Sequence, residues 1–159
     1  MIKITIISLG KLKEKYWQEA AKEYAKRLSA YCKLEFVEIE PVRISENPSQ
    51  AEIDSALKKE AELIFKKIPQ NSEIITMCVE GKEFSSTQFA KKIEEFKNVG
   101  KSITFIIGSS YGLDETVKVK SSIRLSMSQM TFPHKLFKVM LLEQIYRAFK
   151  INEDSKYHK

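Results

Sequence analysis

Three short segments carry residues whose types and spacing can hold a ligand. The first is Met77-Cys78-Val79-Glu80-Gly81-Lys82, an apolar run that ends in an acid, a glycine and a base. The second, Phe105-Ile106-Ile107-Gly108-Ser109-Ser110-Tyr111-Gly112-Leu113, sets two glycines around small polar residues. Such a loop leaves backbone N–H groups open and lets a flat ligand come close. The third, Leu125 to His134, is a polar, methionine-rich loop (Met127-Ser128-Gln129-Met130-Thr131) closed by Phe132 and Pro133. Each also reads plainly as a strand followed by a turn. Absent motifs narrow the chemistry. No G-x-x-x-x-G-K-[ST] phosphate loop and no G-x-G-x-x-G after the first strand occurs, so neither common nucleotide fingerprint is present. His and Cys do not cluster at metal-ligand spacing, so no metal is expected, and G-x-S-x-G is missing. Cys78 lies inside an apolar run and reads as a core thiol rather than a nucleophile.

The elements that must position these segments follow from periodicity. Ile2 to Ser8 is short and β-branched, a buried strand; Tyr16 to Ala30 then repeats apolar residues at helical spacing. Leu34 to Ile39 alternates like a half-exposed strand, Pro41 to Gln50 is a polar loop, and Ala51 to Ile68 is helical until Pro69. Glu73 to Val79 is a central-strand candidate with Gly81 as the turn after it, and Ser85 or Ser86 caps a helix over Thr87 to Lys97. Ile103 to Ile107 is the most apolar strand, Gly112 to Val119 a short helix, and Ile123 to Met127 a last strand. Pro133 opens a long helix to about Lys150, suited to its first position because proline has no N–H to lose there. Strands alternating with helices predict an α/β fold with a mostly parallel sheet flanked by helices. All three segments then fall at the carboxyl ends of strands, where open α/β sheets bind ligands.

Composition sets the outer bounds. With 159 residues, 43% hydrophobic and 30% charged, the chain predicts one domain over 1–159 with a real core. The longest apolar runs, such as Val139 to Leu142, are too short to span a membrane, and the N-terminus lacks a signal-peptide pattern. Two cysteines cannot form a disulfide scaffold, so the expected compartment is cytoplasmic. The net charge is +6, and residues 118–159 hold nine basic against three acidic residues, so the whole surplus lies there. A localised basic surface suits phosphate binding, although a lysine-rich surface is equally a solvated one. The last predicted helix is apolar around much of its circumference, which points to a partner-buried face and a homodimer.

The segments TMCVEGKEFSS, FIIGSSYGL and LSMSQMTFPHKLFKVMLLEQIYRAFKI, with the tail Tyr157-His158-Lys159 and the opening KITIISLGKLKEKYW, resemble the ribosomal RNA large subunit methyltransferase H family end to end. That family belongs to the SPOUT class of S-adenosylmethionine-dependent methyltransferases. The resemblance implies a C-terminal trefoil knot and a homodimer with the knot at its interface. It also implies methylation at N3 of a pseudouridine in a 23S rRNA hairpin loop near the decoding region, on the assembled ribosome, with no DNA partner. Carried over, the cofactor site comprises Met77, Gly108, Met127, Ser128, Gln129, Met130, Thr131 and Phe132. Family members often have Leu where this chain has Met77 and Gly where it has Ser109.

Methyl transfer from a sulfonium needs in-line geometry more than covalent help. An imide nitrogen as acceptor carries a proton, so a base or an anion-stabilising cation is useful. The candidates are His134, His158, Arg124, Arg147, Tyr146 and Tyr157. His134 is also read as a capping or interface side chain, and Arg147 as half of an i, i+4 salt bridge with Glu143. With the resembling Tyr-His tail, the expected catalytic group is His158, Arg147 and Tyr157. Leaving the resemblance aside, a non-catalytic RNA-binding α/β protein using its basic C-terminal segment remains the competing reading.

Overall fold

The computed structural model describes residues 1–158; Lys159, counted above with the basic tail, lies outside them. Strand and helix alternate throughout: β1 (Ile2–Leu9), α1 (Lys15–Leu28), β2 (Cys32–Ile39), α2 (Gln50–Phe65), β3 (Ser72–Glu83), α3 (Ser86–Asn98), β4 (Ser102–Ile107), α4 (Glu115–Lys120), β5 (Ile123–Ser126) and α5 (His134–Asn152). The five strands form one sheet in the order β2-β1-β4-β3-β5, and every pairing is parallel. The two most apolar strands, β1 and β4, lie in its interior. Ile4, Ile6, Ile7, Ile103, Phe105 and Ile106 are completely buried, as expected of strands covered on both faces. Side-chain alternation divides the core. Ile4, Ile6, Ile103 and Phe105 pack with Leu28, Ile93, Leu141 and Ile145 from α1, α3 and α5. Ile7, Leu9 and Ile106 face the opposite way, onto Ala61, Ile64 and Val117 of α2 and α4.

Several element ends differ from the periodicity, for local reasons. Pro133 is not the first helical residue: its ψ of 137° keeps it outside α5, where its carbonyl accepts the Phe137 N–H at 2.9 Å and starts the ladder. Ser49 and Ser85 cap α2 and α3 by accepting the Glu52 and Gln88 N–H groups. Asp114 caps α4 through the Thr116 N–H, so that helix begins well after Gly112. Gly81 is not a turn. β3 runs on to Glu83 and meets Leu125 of β5 twice, at Met77 and again at Lys82, with residues 78–81 bulged out between. A Cβ on Gly81 would lie 2.6 Å from the Arg124 carbonyl oxygen, so only glycine lets the bulge close.

Candidate active site at the carboxyl edge of the sheet

The bulged part of β3 and the loops that follow β4 and β5 line a cavity of about 460 Å³. Met77, Gly108, Met127, Ser128, Met130, Thr131 and Phe132 line it. Gln129 does not; it is exposed on a tight turn in which Ser128 Oγ accepts the Met130 N–H at 3.0 Å. Met77 is buried against Leu125 at the floor, while Met130 is 74% exposed at the rim.

The loop after β4 is fixed by close packing. A Cβ on Gly108 would lie 2.6 Å from the Gly112 carbonyl carbon and 2.9 Å from Leu113 Cγ, so the space a side chain needs is already filled. Gly112, at φ +86°, turns the chain back, and its N–H donates to the Ser109 carbonyl at 2.9 Å. Behind the loop stands Glu60 of α2, 4% exposed. Its Oε1 accepts the Ser109 hydroxyl at 2.9 Å and its Oε2 the Val42 N–H at 3.1 Å, so one buried carboxylate ties the loops after β2 and β4 to the same helix. Sequence reasoning missed Glu60. Its signal was an acid at i, i+4 from Ala56 and Ile64 on the buried stripe of α2.

That strut makes a stability prediction. Ser109→Ala leaves the buried carboxylate short of one of its two donors, a cost of about 1–3 kcal/mol. Thermal unfolding should show Tm lower by several degrees, at about 2–4 °C per kcal/mol for a chain of this size. In a Glu60→Ala background the same change should cost much less; strictly additive effects would show that the two residues do not act together.

His134 also lines the cavity. Its ring lies beside the Gly108 backbone, and Nε2 is buried with no partner among the described residues. Burial and then the nearby Lys138 charge push the imidazole below its ordinary pKa, so it is neutral at pH 7. Of its two sequence readings the cap is not met, since His134 is the first residue inside α5 and caps nothing. Glu80 and Lys118 form an ion pair of 2.5 Å in the cavity wall.

Arg147, Tyr157 and His158 are brought together, but not at the cavity. Arg147 donates from Nε (3.0 Å) and Nη2 (2.6 Å) to Glu143 Oε1, and its Nη1 lies 3.3 Å from His158 Nδ1. The Tyr157 hydroxyl donates to the same Glu143 oxygen at 3.2 Å, while its ring lies under the Arg147 guanidinium at 4.9 Å. Burial and Glu143 push the Tyr157 phenol up, so it keeps its proton. Glu143 of this group lines a second cavity of about 420 Å³ with Met140 and Tyr24, and the two cavities meet at Leu125 and Met127. Arg147 lies ten residues along α5 from Phe137, the last α5 residue at the first cavity, a separation of about 15 Å at the helical rise. Of the remaining candidates, Arg124 pairs with Glu115 at 2.9 Å and Tyr146 packs edge-on against Tyr157.

The expected free basic surface of residues 118–159 is corrected by the ion pairs. Lys118, Arg124, Lys135 and Lys138 are matched with Glu80, Glu115, Glu14 and Glu38, all earlier in the chain. Arg147 and Lys150 are matched with Glu143 and Glu153 within it. Lys138 is 2% exposed, its ammonium 3.1 Å from Glu38 and 5.0 Å from the centre of the Phe36 ring, so it is a core residue.

Residues 2–158 match the family model described as "Predicted SPOUT methyltransferase". Ribosomal RNA large subunit methyltransferase H 1 of Clostridium perfringens (strain SM101 / Type A) is 49% identical over 157 residues, covering 98% of this chain and 99% of the relative. The chain belongs to this SPOUT methyltransferase family. Ribosomal RNA large subunit methyltransferase H of Streptococcus suis (strain 05ZYH33) is 45% identical over 159 residues, covering 99% of this SPOUT chain and all of the relative. Among solved structures, the SpoU methyltransferase AviRb from Streptomyces viridochromogenes, in complex with AdoMet, is similar at a TM-score of 0.47 and 9% identity. The alignment covers 98% of the SPOUT chain and 59% of AviRb. Among the described residues, no helix is long and apolar enough to cross a membrane, and no His, Cys, Asp and Glu group could hold a metal.

Proposed function

We propose that this family member, as one domain over 1–159 and as a homodimer in the cytoplasm, methylates ribosomal RNA of the large subunit with S-adenosylmethionine. The finer reading is N3 of a pseudouridine in a 23S rRNA hairpin loop near the decoding region, on the assembled ribosome. The observation that carries it is the first cavity: Met77, the Gly108 loop and the loop from Met127 to Phe132, distant in sequence, meet around a space of about 460 Å³. Its size suits a small-molecule ligand, its walls are mostly apolar or small apart from Glu80, Lys118 and His134, and the glycine at 108 lets the loop after β4 pack closely on Gly112 and Leu113. The trefoil knot belongs to the same reading.

Bound S-adenosylmethionine supplies an electrophilic methyl group on a sulfonium. Met77 and Leu125 would give the adenosyl group an apolar floor, and backbone of the loops from Gly108 and Met127 would orient it. Arg147 is the group suited to an anion left when an imide loses its proton, since Glu143 holds its guanidinium firmly charged. His158 beside it is the candidate to take that proton.

The homodimer is supported by two features. Phe137, Val139, Met140 and Tyr146 are only half buried in one chain, and the cluster of Arg147, Tyr157 and His158 is remote from its own cavity. A second copy can supply the missing half. The competing reading, a non-catalytic RNA-binding protein using the basic C-terminal segment, loses ground because six cations of that segment are matched with carboxylates. Calorimetric titration with S-adenosylmethionine decides between the two: saturable binding is expected, and its absence would favour the non-catalytic reading. Mass spectrometry of rRNA nucleosides from a strain lacking the protein should then show one methylated pseudouridine missing.

A further inference from the structure

The cations that hold an RNA substrate should be exposed, unmatched and beside the cavity, and those of the last segment mostly fail the second condition. The loop joining β1 to α1 meets all three. Lys11 and Lys13 are exposed and in no ion pair among the described residues, and Leu12 between them is buried as an anchor. The loop's one acid, Glu14, is taken by Lys135 of α5 at 2.6 Å. Tyr16, 63% exposed, follows directly.

The loop is also held still. The Gly10 N–H donates to the Ile39 carbonyl at 2.9 Å, Gln18 Nε2 donates to the Leu12 carbonyl at 2.7 Å, and the Gln18 N–H reaches the Glu14 carbonyl at 3.2 Å. Its position follows from the same contacts. A Cβ on Gly10 would lie 3.6 Å from His134 Nε2, and His134 lines the cavity. One side chain thus separates this loop from the cavity.

We infer that Lys11 and Lys13 form a preorganised clamp for backbone phosphates of the RNA whose base enters the cavity. This rests on the methyltransferase reading above. Two ammonium groups on a loop already fastened lose little loop freedom on binding, and each phosphate they neutralise releases counterions.

The test compares K11A/K13A with K22A/K26A, which removes two exposed, unpaired lysines from α1 and so matches the charge change. Binding to ribosomes from a strain lacking the protein is measured over a range of salt, with S-adenosylmethionine affinity and methylation followed in parallel. For K11A/K13A the slope of log affinity against log salt should become shallower by about 1.4–1.8, with affinity at low salt down about tenfold or more. Its S-adenosylmethionine affinity should be unchanged, and K22A/K26A should behave as the unaltered protein. Equal slope changes in the two variants, or none in either, would overturn the clamp. Failure of the unaltered protein to methylate any ribosome preparation would instead overturn the methyltransferase reading, and the lysine comparison would still report on the phosphate contact.

Discussion

Gly108→Ala is expected to weaken S-adenosylmethionine binding and to lower methyl transfer by about a hundredfold or more, because roughly 1 Å of displacement in a positioning loop costs about that factor in rate. The added methyl group would meet the Gly112 carbonyl carbon at 2.6 Å and Leu113 Cγ at 2.9 Å. Backbone cannot rotate out of the way as a side chain can. Gly112 is bonded to the Ser109 carbonyl, and Ser109 is tied to Glu60, so the turn has no slack on its far side. The remaining relief is to push residues 109–112 apart, which reshapes the cavity wall. Gly100→Ala is the control: nothing lies within 4 Å of its new Cβ, and only its φ of +70° resists, so stability should fall by about 1 kcal/mol with binding unchanged. Calorimetry and thermal unfolding on both variants separate the two effects. Tight S-adenosylmethionine binding by Gly108→Ala would remove the Gly108 loop from the site.

The strands were legible because burial on both faces demands what β1 and β4 display, short β-branched runs whose buried polar members, Thr5, Ser8 and Thr104, are small. Helix ends were less so, since a cap such as Asp114 or the Pro133 carbonyl depends on backbone angles that residue type only biases. The β3 bulge was invisible. It exists because Gly81 packs on the Arg124 carbonyl of a strand that pairs only after folding, and a lone glycine after an apolar run reads first as a turn. Charge was legible as a sum and misleading as a surface. Lys135 and Lys138 find Glu14 and Glu38 more than 90 residues earlier, and no local count anticipates such pairs. In the site, the position of the three segments at strand ends came from the residues, but their joint lining of a cavity came from the family resemblance. Glu60 entered only with coordinates, and so did the place of His134 at the cavity, because both meet the Gly108 loop across the fold.

Deleting residues 157–159 should abolish methylation and leave S-adenosylmethionine affinity within about twofold, since truncating a substrate contact leaves a preformed cofactor pocket in place. Neither Tyr157 nor His158 lines the first cavity, and their partners Glu143 and Arg147 are fixed on α5 about two and about three turns beyond its last contact with that cavity. If the tail serves the cavity of a second copy, the two defects must complement. Coexpressed in equal amounts, the truncated chain and Gly108→Ala would assemble half of their dimers as mixed pairs. In each mixed pair the truncated subunit keeps an intact cavity and receives the tail of its partner. One of the two sites is thereby restored, giving about a quarter of full activity across the population of symmetric and mixed dimers. A site made within one chain predicts a different result, because every chain then carries one defect and no pairing repairs it. Activity of the coexpressed mixture at the level of either variant alone would therefore place catalysis within the single chain, and the α5 cluster would be an interface feature rather than part of the chemistry.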